Sequence, residues 1–120
     1  MNYDNFFFPA NDLVTSRQFY QDTLGLVVKF DFSERGMLAF KVGNEEAALI
    51  LKDKNKFPEA KPTVWIEVED VHEAYARFQP KGVNFLSAPF RIPTGWAVEF
   101  TDPAGNVLGF TDYRKTDEQP

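Results

Sequence analysis

Few side chains in this sequence could do chemistry, and the candidates are mainly carboxylates and aromatic rings. There is no cysteine, which excludes disulfides, thiolate metal sites and a cysteine nucleophile. The only histidine, His72, stands beside Glu73 at the start of a predicted helix, and we expect it to face solvent. The strand residues Glu67 and Glu99 could act as a general acid and base pair.

The two tryptophans, Trp65 and Trp96, suggest a binding site for a flat organic molecule. Such a molecule, aromatic or cationic, would stack on the rings while Glu67 or Glu99 fixes its polarity. Two plainer interpretations stay open, because a small domain rich in Phe also fills its core with rings and because strand carboxylates often face solvent. The sequence has no glycine-rich phosphate loop, nucleophile elbow or metalloprotease helix, so we expect no cofactor.

The composition indicates one soluble domain that binds neither nucleic acid nor membrane. A chain of 120 residues with 13 Phe can build a hydrophobic core without a metal or disulfide. Its 13 basic and 18 acidic side chains give a net charge of −5, which repels phosphate backbones. No apolar run reaches the roughly 18 to 20 residues that a membrane helix needs, and no basic region precedes an apolar stretch at the start. We therefore expect a cytoplasmic protein.

The first half of the chain reads as a strand, a helix and three strands. An aromatic run over residues 5–8 predicts the first strand, which Pro9 should close. A helix is predicted over residues 13–23, capped by Asp12 and stopped by Gly25, with Leu13, Phe19, Tyr20 and Leu24 on its buried face. Glycine turns then separate three short strands, predicted over residues 26–31, 37–42 and 47–52.

The second half repeats this order after a linker rich in Lys and Pro over residues 54–62. A strand over residues 63–68 precedes a helix over residues 71–78, which begins after Asp70 and stops at Gly82. Its buried stripe is predicted to comprise Val71, Tyr75 and Phe78. Three further strands are predicted over residues 84–88, 96–101 and 107–111, the last two joined by a type I turn over residues 102–106.

The helix caps and helix stops of the two halves match at an offset of 57 to 58 positions, which indicates an internal duplication. Asp12 corresponds to Asp70 (70 − 12 = 58) and Gly25 to Gly82 (82 − 25 = 57). The sequence therefore predicts a single α+β domain of two βαβββ units, about residues 3–53 and about residues 62–113, forming a concave mixed sheet. One unit offers a sheet face too small to enclose a site, so we expect the cavity between the two.

The motifs at the helix ends and turns of this chain resemble those of the vicinal oxygen chelate superfamily. That superfamily includes glyoxalases, ring-cleaving dioxygenases, fosfomycin resistance enzymes and bleomycin resistance proteins. The resemblance covers nearly the whole chain, and its elements indicate fold more strongly than chemistry, because they are packing and turn features. The matching segments are residues 11–13, 19–25, 68–71 and 99–106.

The resemblance implies where metal ligands would stand, and this chain carries other residues there. Enzymes of the superfamily place His, Gln or Glu near the start of each unit's first strand and another ligand in its last strand. A divalent metal needs about three or four converging donor atoms. The amide, hydroxyl, glycine and aliphatic residues that this chain has at those positions cannot supply them. We therefore expect no metal. The corresponding positions here are Asn5, Thr63, Gly109 and the run Leu49, Ile50 and Leu51.

Strand alternation combined with the resemblance selects the residues that would line the cavity. The alternate residues, Phe6 and Phe8 in one half and Val64, Ile66 and Val68 in the other, would pack under the helices. The predicted ligand-binding residues are Asn5, Phe7, Thr63, Trp65, Glu67, Trp96 and Glu99.

The leading hypothesis is a metal-independent protein that binds a small molecule, resembling the bleomycin resistance proteins, which sequester an antibiotic without turning it over. One alternative is a glyoxalase-like lyase or dioxygenase with non-standard ligands. Another is a non-catalytic scaffold for protein association. The resemblance also implies a homodimer.

Overall fold

The structure, a computed structural model, describes residues 1–114 and divides the chain into two compact units. The first unit is Asn5–Pro62. The second unit comprises Met1–Asp4 and, among the described residues, 63–114. Within the described residues no helix has the length and apolar character needed to cross a membrane.

The first unit contains one interrupted helix and a mixed sheet. Strand β1 runs parallel to β4, and the β4–β3 and β3–β2 pairs are antiparallel, giving the order β2-β3-β4-β1. The parallel pair needs a crossover, which the helix and the two intervening strands supply. The elements are β1 (Asn2–Ala10, of which residues 5–10 lie in this unit), α1 (Leu13–Arg17) continued by a π-helix (Gln18–Thr23), β2 (Val27–Phe32), β3 (Met37–Lys41) and β4 (Ala48–Asp53).

The second unit repeats this topology. Strand β5 is parallel to β9, β9 is antiparallel to β8, and β6 and β7 both pair with β8. The structure therefore confirms the predicted α+β fold, in which each unit has the order βαβββ with one strand of the second unit split in two. The elements are β5 (Thr63–Glu67), α2 (Val71–Phe78), β6 (Asn84–Phe85), β7 (Phe90–Ile92), β8 (Gly95–Thr101) and β9 (Val107–Thr111).

The helix of the first unit begins where predicted but changes its winding after one turn. Asp12 caps it by accepting a hydrogen bond from the Val14 amide at 3.0 Å. From Gln18 onward it is a π-helix, with the Leu24 amide donating to the Phe19 carbonyl five residues back. This winding differs from the 3.6-residue period behind the predicted buried face. Leu13 and Tyr20 pack on the core, but Phe19 and Leu24 are 51% and 53% exposed, so their predicted burial was wrong.

Two predicted strand boundaries were also wrong. Pro9 does not close β1, since it pairs with Lys52 and lacks only a donor, so the strand continues to Ala10. The strand predicted over residues 84–88 stops at Phe85, and pairing with β8 resumes at Phe90, directly after Pro89.

Phe8, predicted to pack under the helix, is 40% exposed.

The core of the second unit lies between α2 and one face of its sheet. Val71, Ala74, Val98 and Phe110 form its buried centre. The predicted stripe of α2 is confirmed, because Tyr75 and Phe78 pack against this centre beside Ile66 and Val68. Burial of this apolar face is what holds a helix of only eight residues in place.

Hydrogen bonds from Ser33 and an ion pair with Arg17 lower the pKa of Asp31, and the ion pair also ties the helix of the first unit to β2. Arg17 Nη1 lies 2.8 Å from Asp31 Oδ2. The hydroxyl and the backbone N–H of Ser33, and then Arg17, lower the pKa of Asp31 from 3.8 to about 2.

We expect carbon-detected NMR to find Asp31 titrating near 2. The folded pKa lies below the unfolded value, so this carboxylate stabilises the fold above about pH 4, and its contribution is lost as the pH falls from 3.8 towards 2. Ser33→Ala should raise the pKa of Asp31 more than Arg17→Gln does, because the Ser33 hydroxyl is the larger cause. A wild-type Asp31 that titrates at 3.8 would contradict the assignment.

Candidate functional site

The candidate site lies on the face of the second unit's sheet that is turned away from α2. Ile66, Val98 and Phe110 pack towards the helix, so the residues that alternate with them point to the opposite side. We call this side the distal face. Its residues on β5, β8 and β9 include Thr63, Trp65, Glu67, Glu99 and Gly109.

The structure brings Trp65 and Glu99 together across Gly109. Gly109 lies between them in the ladder, paired with Trp65 on one side and with Glu99 on the other. The indole Nε1 donates a hydrogen bond of 2.9 Å to Glu99 Oε2. Both side chains are half-buried, and a hydrogen bond to a charged acceptor is stronger than a neutral one. The indole is thus held in one orientation on the sheet.

Gly109 is the reason the indole can lie there. A Cβ atom at this position would come within 2.6 Å of both Cδ1 and Nε1 of Trp65 and 3.3 Å of Cε2. These three atoms belong to the five-membered ring, so that ring directly covers Gly109. The space that a side chain at position 109 would need is filled by Trp65.

Negative charge collects at the end of the second unit that holds Glu67. The Tyr113 hydroxyl donates a hydrogen bond to Asp4. Burial, this hydrogen bond and the charges of Asp4 and Glu67 raise the pKa of Tyr113 above its usual value. The phenol therefore stays protonated at every physiological pH.

Trp96 lies on the other face of β8 from Glu99. The two residues are three positions apart on one strand, which places their side chains on opposite sides. Trp96 packs on the buried centre formed by Val71, Ala74, Val98 and Phe110, and Arg91 lies over its ring at 5.5 Å. Contrary to the prediction, Trp96 therefore does not lie on the distal face with Trp65.

His72 does not simply face solvent, as the sequence suggested. It is half-buried, and its ring meets that of Trp96 edge to face, with ring centroids 4.5 Å apart. His72 therefore packs at the helix side of the sheet, away from the distal face.

Asn5 and Phe7 belong to β1 of the first unit. Asn5 Oδ1 accepts a hydrogen bond of 2.9 Å from the Ala48 amide, and Phe7 is 6% exposed beside its ladder partner Ile50. The Lys52 ammonium lies 5.0 Å from the centre of the Phe7 ring. Thr63, at the start of β5 in the second unit, is 8% exposed.

A structural carboxylate, Asp112, was missed by sequence reasoning. It is fully buried and accepts hydrogen bonds from the backbone N–H groups of Val71 at 2.8 Å, Trp96 at 3.0 Å and Arg114 at 3.1 Å. The only signal in the sequence was the repeat, because Asp53 stands at the end of β4 as Asp112 follows β9. The pair of Asp4 and Tyr113, far apart in the chain, gave no signal.

The residues present do not fit a metal centre at the positions that the resemblance indicated. Asn5 already uses its side-chain oxygen to accept from a backbone amide, and Gly109 is covered by the Trp65 ring. Leu49, Ile50 and Leu51 have no donor atoms in their side chains. In the part of the chain that the structure describes, no group of three or more His, Cys, Asp or Glu could hold a metal ion.

Comparison with known proteins gives one family match and several structural relatives. A model of the family described as the Glyoxalase/Bleomycin resistance protein/Dioxygenase superfamily matches residues 3–110. The uncharacterized protein YetH of Bacillus subtilis is 26% identical over 105 residues, covering 82% of this chain and 88% of that protein.

Solved structures show the same fold at low identity. Methylmalonyl-CoA epimerase from Mycobacterium tuberculosis is 17% identical with a TM-score of 0.72, covering 94% of this chain and 88% of that one. A glyoxalase/bleomycin resistance protein/dioxygenase superfamily member from Vibrio splendidus is 17% identical with a TM-score of 0.68, covering 89% and 95%. At these identities the likeness extends to the fold alone.

Proposed function

Because the chain belongs to the Glyoxalase/Bleomycin resistance protein/Dioxygenase superfamily, we propose that it binds a small, flat organic molecule without a metal ion. The observation that carries this proposal is the Trp65 indole, seated over Gly109 and hydrogen-bonded to Glu99. In this respect the protein would resemble the bleomycin resistance proteins, which sequester a compound rather than convert it.

The chemistry of the distal face favours an aromatic cation. An indole face attracts a cation by about 0.5 to 2 kcal/mol, depending on how far the cation is desolvated. Glu67 and Glu99 supply negative charge on the same face, and the chain as a whole carries a net charge of −5. A flat cation would therefore gain from stacking and from charge together.

The role of Glu99 supports binding rather than acid–base catalysis. One of its oxygens already accepts a hydrogen bond of 2.9 Å from the Trp65 indole, which holds the side chain in place. The carboxylate thereby orients the ring on which a flat molecule would stack, which is a role in binding.

Binding is tested by titrating the protein with proflavine, a planar aromatic cation, and with acridine, which has the same ring system and is uncharged at pH 8. We expect proflavine to shift the Trp65 Hε1 resonance and to bind about fivefold more tightly than acridine. That factor corresponds to about 1 kcal/mol of attraction between the cation and the site. Glu67→Gln should reduce this preference.

Glu69→Gln is the matched control, because Glu69 is exposed and lies beyond the end of β5. It should leave the proflavine preference unchanged. If neither compound moves the Trp65 resonance, the proposed site is wrong. Turnover of a substrate that depends on added Mn²⁺ or Ni²⁺ would instead favour the lyase or dioxygenase alternative.

A homodimer and a cytoplasmic location remain proposals. Light scattering coupled to gel filtration measures the first, with twice the mass of 13.8 kDa as the expected result. Fractionation of the producing cells measures the second.

A further inference from the structure

The described glycines fall into two groups that have different reasons for being glycine. Five of them, at positions 25, 36, 43, 82 and 105, have positive φ angles, which only glycine adopts at low cost. Gly109 is not among them. It stands in the middle of β9 with a ladder partner on each side.

No backbone requirement therefore explains glycine at position 109. Glycine inside a strand loses more conformational entropy on folding than other residues and has no side chain to pack, so it weakens the strand. The close approach of a neighbouring group is the usual compensation. Here that group is the Trp65 ring, with two atoms 2.6 Å from where a Cβ would stand.

We infer that Gly109 is the residue that determines what the distal face binds, because it alone leaves room for the Trp65 indole between β5 and β8. A side chain at 109 would displace the ring and break its hydrogen bond to Glu99. The face can hold an indole or a side chain at 109, but not both. This inference rests on the proposed binding function, which it deepens by naming the residue that sets the specificity.

The pair is tested first without any ligand, by a double-mutant cycle on Trp65 and Gly109. In the wild-type background we expect Gly109→Ala to lower the melting temperature by roughly 5 to 10 °C and to shift the Trp65 Hε1 resonance upfield as its hydrogen bond is lost. In the Trp65→Ala background the same substitution should leave the melting temperature unchanged or raise it, because alanine suits a strand better than glycine.

Additive effects in the two backgrounds would overturn the inference. If Gly109→Ala alone does not fold, the double variant Trp65→Ala with Gly109→Ala decides, since its folding supports the coupling and its failure to fold overturns it. Proflavine binding is then compared, and Gly109→Ala should lower the affinity to the level of Trp65→Ala. Coupling without proflavine binding by the wild type would disprove the proposed function, whereas proflavine binding that survives Gly109→Ala would disprove the role of Gly109.

Discussion

Replacing Asp112 with alanine is expected to lower the free energy of unfolding by about 3 to 5 kcal/mol, because three backbone N–H groups lose their acceptor and each buried, unsatisfied donor costs about 1 to 3 kcal/mol. The donors come from three segments: Val71 begins α2, Trp96 lies near the start of β8, and Arg114 follows β9. Asp112 thus fastens the helix to both strands.

The measurement is urea unfolding of Asp112→Ala beside two comparisons. Asp112→Asn keeps one oxygen acceptor and should lose less stability than the alanine variant. Asp53→Ala is the internal control, since Asp53 ends β4 as Asp112 follows β9 but accepts from the exposed Asn55 amide at 2.9 Å. We expect Asp53→Ala to cost about 1 kcal/mol or less. Equal losses for Asp53→Ala and Asp112→Ala would show that burial of Asp112 has no special role.

Gly95, near the start of β8, packs closely against Asp112. Gly95 also lacks a positive φ, and a Cβ there would come within 2.3 Å of the Asp112 carbonyl oxygen and 2.7 Å of its Oδ1. The sequence shows this residue only as the neighbour of Trp96. Its reason for being glycine is a contact with a residue 17 positions away (112 − 95 = 17).

The elements of the fold were predictable because local chemistry marks their ends. Asp12 and Asp70 both cap helices through their side chains, and the stripe of α2 follows the 3.6-residue period. The π-helix after Arg17 was not predictable, since its wider turns leave no period of their own in six residues. Phe19 and Leu24 were assigned to the core for that reason.

The site was predictable only as far as alternation along single strands. Alternation puts Trp65 and Glu67 on one face of β5, but which strands flank β5 depends on the topology of the whole unit. The hydrogen bond between Trp65 and Glu99 exists because β9 lies between β5 and β8, with Gly109 in register with both residues. Trp96 was predicted to lie on the same face as Glu99, although side chains three positions apart on a strand point to opposite faces.

The two tryptophans should therefore respond in opposite ways to replacement by alanine. Trp65→Ala should lower proflavine affinity by about 10- to 100-fold, since losing a stacked ring costs about 1 to 3 kcal/mol of binding. Its effect on unfolding should be smaller than that of Trp96→Ala. Trp96 packs on the core beside α2, so its removal should cost about 3 to 5 kcal/mol of stability and leave the affinity of the folded protein unchanged.

Urea unfolding and proflavine titration of both variants measure the two quantities side by side. Trp65→Phe separates the ring from its N–H group: it keeps a stacking surface but cannot donate to Glu99, so its affinity should fall between those of the wild type and Trp65→Ala. If Trp65→Ala collapses the fold while proflavine still binds any folded fraction as the wild type does, Trp65 is a core residue. That outcome would show that the ligand does not bind at the distal face.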